Sequence, residues 1–302
     1  MEFSGKQWEI INDLRFGNFR RINLLEGSVR SGKTFISLVI WCLIVLRSPK
    51  NSTLLMTGKT LTTLKRNVLV PLAELIGTRN FVGSAESKEG TIFGRKVYFE
   101  GAADESAESK IRGMTLYAAY CDELTLFPES FFAMMLSRLS MDNAMLLATT
   151  NPDLPNHWLM KNYIERSRRG ELEMYIKKLT IDDNPFLPAD YVSELKKEYT
   201  GVFYRRFILG EWCAAEGAVY AEFAEDPEKF LLDDVKPSDI IEAYVGVDFG
   251  GNGSAHAFVL TGVTRRFEKV ITLDEYYRRE MISPVQLEND FVDFIRRNVG
   301  KY

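Results

Sequence analysis

Residues 24–34 read LLEGSVRSGKT, and this stretch limits the architecture of the chain more sharply than anything else in it. The spacing G-x-x-x-x-G-K-T cradles a phosphate only when a buried strand precedes it and a helix follows. Upstream, RINLLE passes from alternating to apolar, as a short buried strand does. Downstream, FISLVIWCLIVL is an apolar run suited to a buried helix, stopped by Arg47, Ser48 and Pro49. Gly27 and Gly32 let the backbone approach an anion with its amide hydrogens turned inward, and the helix N-terminus adds partial positive charge there. Ser28, Arg30 and Ser31 complete the loop. Lys33 then reaches β and γ phosphates, and Thr34 offers its hydroxyl to magnesium. The alternative, a Gly/Ser turn with a stray lysine, does not account for the full spelling in this setting.

The remainder of the first 180 residues repeats the alternation. Strands are expected near 21–26, 53–57, 116–121, 145–150 and 173–179, with helices between them. That is an α/β pattern, a mostly parallel sheet flanked by helices. EGTIFGRKVYFEG at 89–101 reads as an inserted β-hairpin turning at Gly94 and Arg95. Residues 182–213 read as helical after their Asn-Pro and Leu-Pro breaks, and the acidic, Pro-containing 214–242 reads as a linker. From 243 the chain restarts with three strands joined by tight turns and a helix from about 284. The expected division is 1–213, the linker 214–242 and a small unit 243–302, and no internal repeat is visible.

With 302 residues and 46% hydrophobic content, the chain can bury a large core and divides on size into about two domains. Cys42, Cys121 and Cys213 are far apart, which argues against a disulfide framework or a zinc site and suits a reducing cytosol. The apolar run 35–46 is too short to span a bilayer and far from the N-terminus, so neither membrane span nor signal peptide is expected. A net charge of −4 gives no whole-protein field for nucleic acid, so any such contact must be local. KNYIERSRRGELEMYIKK at 161–178 and the pair Lys65–Arg66 are the basic stretches, and solvated helix faces are the simpler reading of both.

A phosphate loop needs a carboxylate on a neighbouring strand. LYAAYCDE supplies an apolar strand ending in Asp122 and Glu123. Asp122 is the candidate for magnesium, directly or through water, and Glu123 for orienting and deprotonating an attacking water. Arg30 can stabilise transition-state charge from within the loop, or be a surface arginine. Asn151, closing LLATTN, stands where a strand's C-terminal end can sense the γ phosphate, or caps a helix before Pro152. Gln7 in GKQWEII precedes the first strand and can pair with adenine; alone it means little.

Together GSVRSGKT, YCDE, LLATTN, DDNPFLPADY and YTGVFYRRFILGEW resemble the large terminase subunit of tailed bacteriophages, the motor that packages DNA into a procapsid, and the likeness runs in order over residues 1–302. The resemblance implies a P-loop ATPase domain followed by an RNase H-like α/β nuclease unit. It implies ATP held by Gly27 to Thr34, adenine read by Gln7, Mg2+ at Thr34 and Asp122, Glu123 as catalytic carboxylate, and Arg30 as the loop arginine. Thr149, Thr150 and Asn151 match the motif that couples hydrolysis to movement. VGVDFG places Asp248 on the first metal-binding position of the nuclease, which takes Mn2+ or Mg2+. The family's next acidic positions fall further along, and Asp274 and Glu275 are not obvious substitutes, so the nuclease unit is expected to be partial. The implied partners are double-stranded DNA, a small terminase subunit, a portal protein and further copies of the chain in a ring, in the host cell cytoplasm and without a membrane. A superfamily helicase shares the glutamine, the P-loop and a DE strand, but no second helicase motif set follows residue 214. An ATP-binding switch without turnover is the reading from another class.

Overall fold

The computed structural model describes residues 2–214, 220, 222–223, 226–232, 235–250, 255–279 and 282–302. The chain divides into two compact units, Met1–Lys229 and Phe230–Tyr302. Part of the expected linker 214–242 and of the glycine turn after Asp248 lies outside the described residues.

In the first unit α1 (Gly5–Arg15) opens on Ser4, whose hydroxyl caps the Gln7 amide while the Gln7 side chain caps Ser4 in return. Then follow β1 (Ile22–Gly27), α2 (Lys33–Arg47) and β2 (Leu54–Gly58). α3 (Leu61–Leu64) runs through a π turn at Lys65–Leu69 into α4 (Val70–Ile76). The chain continues through β3 (Phe81–Ser84), β4 (Glu89–Ile92), β5 (Arg95–Gly101), α5 (Glu108–Ile111), β6 (Ala118–Cys121), α6 (Glu129–Arg138) and β7 (Met145–Thr150). α7 (Glu165–Arg168), β8 (Met174–Leu179), α8 (Ala189–Glu198), α9 (Gly201–Phe203) and a π turn at Tyr204–Ile208 complete it.

The eight strands form one sheet in the order β3-β4-β5-β2-β6-β7-β1-β8. The six from β5 to β8 in that order are parallel, and β3 and β4 add an antiparallel edge. Successive strand residues enter opposite layers. Leu25, Met56, Tyr120 and Leu147 pack with Ile36 and Trp41 of α2. Leu24, Leu55, Ala119 and Ala148 pack with Phe131 and Phe132 of α6. Because helices cover both faces, β1, β2 and β6 are buried throughout and are mostly apolar, with Asn23, Glu26 and Thr57 as buried polar exceptions.

Three local readings change. The hairpin turns at Phe93 and Gly94, with φ of 49° and 73°, and Arg95 already belongs to β5. Its second strand pairs in parallel with β2, so the segment belongs to the main sheet. Residues 182–213 are helical after their Asn-Pro and Leu-Pro breaks, as expected, but in pieces: α8 ends at Glu198, α9 and the π turn follow to Ile208, and Gly210 with φ 60° closes the turn. The basic stretch 161–178 is helical only to Arg168, since Gly170 takes φ 75°. Lys177 lies on β8, 2.8 Å from Glu9, and Arg169 pairs with Glu171 at 2.7 Å.

The second unit is the antiparallel sheet β9 (Ile240–Asp248), β10 (His256–Thr264) and β11 (Val270–Arg278), with β10 central, followed by α10 (Pro284–Asn298). Its core is Phe258, Leu260 and Phe294, bordered by Val245, Tyr276 and Phe291. β9 starts three residues ahead of the expected 243.

Candidate nucleotide and catalytic site

Strand order makes the site. β7 lies between β1 and β6, so the loop after β1, the carboxylates after β6 and the polar end of β7 meet at one edge of a parallel sheet, where α/β folds bind ligands. The loop is tightly seated. A Cβ at Gly27 would lie 1.7 Å from the Leu179 carbonyl oxygen, and one at Gly32 would lie 2.8 Å from Gln7 Nε2. Ser28 N donates to Leu179 O at 3.0 Å, Val29 N to Phe207 O at 3.0 Å, and Ser31 Oγ to Ser28 O at 3.0 Å. α2 begins after left-handed Gly32 with no side-chain cap. Its first amide hydrogens are thereby left for an anion.

Lys33, buried to within 5% of its surface, donates to Ser28 O at 3.0 Å and to Asn151 Oδ1 at 2.6 Å. Asn151 Nδ2 in turn donates to both carboxylate oxygens of Glu123, at 3.1 and 3.0 Å. The amide orientation is forced, since an ammonium only donates and a carboxylate only accepts. Glu123 itself takes φ 57°, a conformation uncommon for a residue with a Cβ. Asp122 is buried, and Thr149 Oγ1 donates to its Oδ1 at 2.9 Å. Thr150 Oγ1 donates to Thr125 Oγ1 at 2.9 Å. Burial, then the neighbouring Glu123 charge, pushes the Asp122 carboxyl up to about 6. Burial pulls Lys33 below its ordinary range, against the pull of Glu123 and Asp122.

The other expected residues are placed less uniformly. Thr34 stands in the first turn of α2. Gln7 is buried against the loop, with Nε2 3.5 Å from Gly32 O and Oε1 accepting from Ser4 N at 3.0 Å, so its amide is already engaged at both ends. Arg30 is solvent-exposed; its φ is 57° and its carbonyl accepts from Asn184 Nδ2 at 2.7 Å. Thr34 offers a hydroxyl and Asp122 a buried carboxyl, both oxygen donors of the class taken by a hard divalent ion that keeps waters and phosphate oxygens as its other ligands.

Several neighbours of the loop escape sequence reasoning. Trp212 Nε1 donates to Glu26 Oε2 at 2.8 Å, and Glu26 is the buried residue just before Gly27. Gly210 lies so close that a Cβ would be 2.9 Å from Ser28 N. Arg206 bridges the Cys213 carbonyl at 2.7 Å and Asp153 at 3.2 Å. The phrase YTGVFYRRFILGEW carried the signal, but only as part of a resemblance, with no chemistry attached to its Trp or Gly.

Asp248 ends β9 exposed, level with Ala257 and Tyr277. Asp274 is on the other face of that sheet, level with Leu260, and is held by Arg297 at 2.7 Å and Asn298 at 2.6 Å. Asp290 is taken by Arg278 at 3.0 Å and Gln286 at 2.7 Å. Among the described residues no three of His, Cys, Asp and Glu gather to hold a metal. What is described around Asp248 therefore does not fit a two-metal nuclease centre.

The family model for the terminase large subunit, T4likevirus-type, N-terminal region matches residues 24–226. Among solved structures, the large terminase from a thermophilic bacteriophage is similar at 28% identity and a TM-score of 0.65, over 98% of this chain and 74% of that one. The same thermophilic phage protein in complex with ADP is similar at 28% identity and a TM-score of 0.63, over 98% and 74%. The large terminase of bacteriophage HK97, at 12% identity, a TM-score of 0.56 and coverage of 99% and 68%, shares the fold. No curated protein sequence matches the chain significantly. The strand-loop-helix at Gly27–Thr34, the carboxylates after β6 and the match over most of the chain lead to one conclusion: this chain belongs to the large terminase subunits of tailed phages.

Proposed function

We propose that this chain drives viral DNA packaging by hydrolysing ATP at the P-loop site, with Lys33, Asp122, Glu123 and Asn151 in the working roles. The observation that carries this reading is the bridge Lys33–Asn151–Glu123, which joins the phosphate-binding ammonium, a strand-end amide and a carboxylate in one chain of contacts. The bound forms of the thermophilic phage large terminase, with ADP and with ATP-gamma-S, support nucleotide binding.

In this reading the amides of Gly27–Thr34 and the start of α2 take the phosphates, and Lys33 turns from Asn151 to the β and γ oxygens. Asn151 then loses one of its two partners, and its hold on Glu123 is loosened as the γ phosphate arrives. Glu123 orients the attacking water and receives its proton. Thr34 and Asp122 would hold magnesium, which when bound neutralises the charge that develops on the phosphates. Arg30, on the exposed side of the loop, supplies positive charge to the transition state. Gln7 supports the loop, and reads adenine only if its amide leaves Ser4 or Gly32. Double-stranded DNA, the small terminase subunit, the portal protein and a ring of like subunits are the proposed partners, and the host cytoplasm the proposed setting.

Steady-state ATP turnover with and without double-stranded DNA, beside a strand-separation assay, tests the reading. DNA-stimulated turnover without strand separation is expected. Lys33→Ala should abolish turnover in a folded protein; unchanged turnover in that variant sinks the site assignment.

A further inference from the structure

Between the P-loop helix and the carboxylate pair runs a chain of buried hydroxyls to which the nucleotide reading assigns nothing. Ser37, one turn into α2, and Tyr120, two residues before Asp122 on β6, are both fully buried. Their oxygens are 2.9 Å apart, and Ser37 Oγ is also 2.7 Å from the Thr34 carbonyl oxygen. A carbonyl oxygen only accepts, so the one Ser37 hydrogen goes to Thr34, and Tyr120 must donate to Ser37. The contacts therefore run in one direction, Tyr120 to Ser37 to Thr34. At its own backbone Tyr120 is fixed as well, its carbonyl accepting from Thr57 Oγ1 at 2.9 Å.

Strand order explains why such a tie is needed. β7 separates β1 from β6, so no ladder hydrogen bond sets the distance between the loop after β1 and the carboxylates after β6. A magnesium site demands near-ideal octahedral geometry and tolerates little drift between its protein oxygens. We propose that Tyr120 and Ser37 are positioning residues that set the first turn of α2 against the end of β6, holding Thr34 in register with Asp122. The proposal rests on the reading of Thr34 and Asp122 as the magnesium side of the ATP site.

Three variants test it: Tyr120→Phe, Ser37→Ala and the double substitution. The first readout needs no nucleotide. Hydrogen exchange of the peptide over residues 33–38 in the nucleotide-free protein should quicken in each variant. The second is the magnesium concentration for half-maximal binding of a fluorescent ATP analogue. It should rise about two- to ten-fold, the range a lost buried hydrogen bond corresponds to. The double variant should be no worse than Ser37→Ala, because one continuous tie is broken only once. Binding of the analogue in EDTA should stay near that of the parent, while the melting temperature falls modestly in Ser37→Ala, which leaves the buried Tyr120 hydroxyl without a partner. A lowered melting temperature with an unaltered magnesium requirement makes the pair core packing and overturns the proposal. So does unchanged exchange over 33–38, or additive effects in the double variant. If the parent binds no nucleotide while exchange still quickens in the variants, the tie stands and the ATP-site reading is what fails.

Discussion

Glu123, the proposed base, stands in a conformation that costs energy. Its φ of 57° is held by Thr149, whose hydroxyl accepts the Glu123 amide at 3.2 Å, and by the two contacts from Asn151. Glu123→Gln keeps the shape and removes the base. Turnover should fall about a hundred- to ten-thousand-fold while the nucleotide still binds, as stopped-flow chemistry and equilibrium binding would read separately. Loss of both would make the residue structural. Asp122 gives a pH prediction for the nucleotide-free, metal-free protein. Its carboxyl, at about 6 when folded, holds a proton that the unfolded chain has released by about pH 4. The folded state is thus favoured below pH 4, and this contribution is lost as pH rises through about 6. Asp122→Asn, which can still accept from Thr149, should therefore be more stable than the parent at pH 7.5, by up to about 3 kcal/mol, melting higher there and matching it near pH 4. A parent that melts higher at pH 7.5 contradicts the burial argument.

At the scale of elements, the segment after α9 clasps the loop. Phe207 takes the Val29 amide, Gly210 lies against Ser28 and Trp212 reaches Glu26. Trp212→Phe keeps a ring but leaves a buried carboxylate short of its donor, so it should cost about 1–3 kcal/mol. Urea titration reads the loss, which Trp212→Phe in a Glu26→Gln background should show in smaller measure. A full loss in that background means the ring's packing, not the hydrogen bond, is what matters. The strands and α2 were legible because parallel strands buried on both faces leave apolar runs, and the loop between them has an exacting spelling. The hairpin turn at Phe93, the end of α8 at Glu198 and the turn at Gly210 were not, because a left-handed residue and a glycine closing a turn depend on what packs over them.

For the whole molecule the division into Met1–Lys229 and Phe230–Tyr302 separates two chemistries. The first unit gathers a complete set of phosphate-loop residues. In the second, no acidic cluster gathers about Asp248 among the described residues, and Asp274 and Asp290 are already paired. The purified chain should therefore turn over ATP yet leave supercoiled plasmid essentially uncut in magnesium or manganese. Nicking by the parent that disappears in Asp248→Ala would show that the missing acids converge on Asp248 after all.

Residue order alone places a strand, a phosphate loop and a helix at Ile22–Arg47, a DE pair at the end of a second strand and LLATTN at the end of a third. These are local facts, written in spacing and hydrophobic period. That β7 lies between the other two is a property of the folded sheet alone. Strand order is chosen by packing between residues far apart in the chain, and no local pattern encodes it. That choice puts Asn151 within reach of both Lys33 and Glu123 and sets Tyr120 against Ser37, while the return of the chain after α9 brings Trp212 to Glu26.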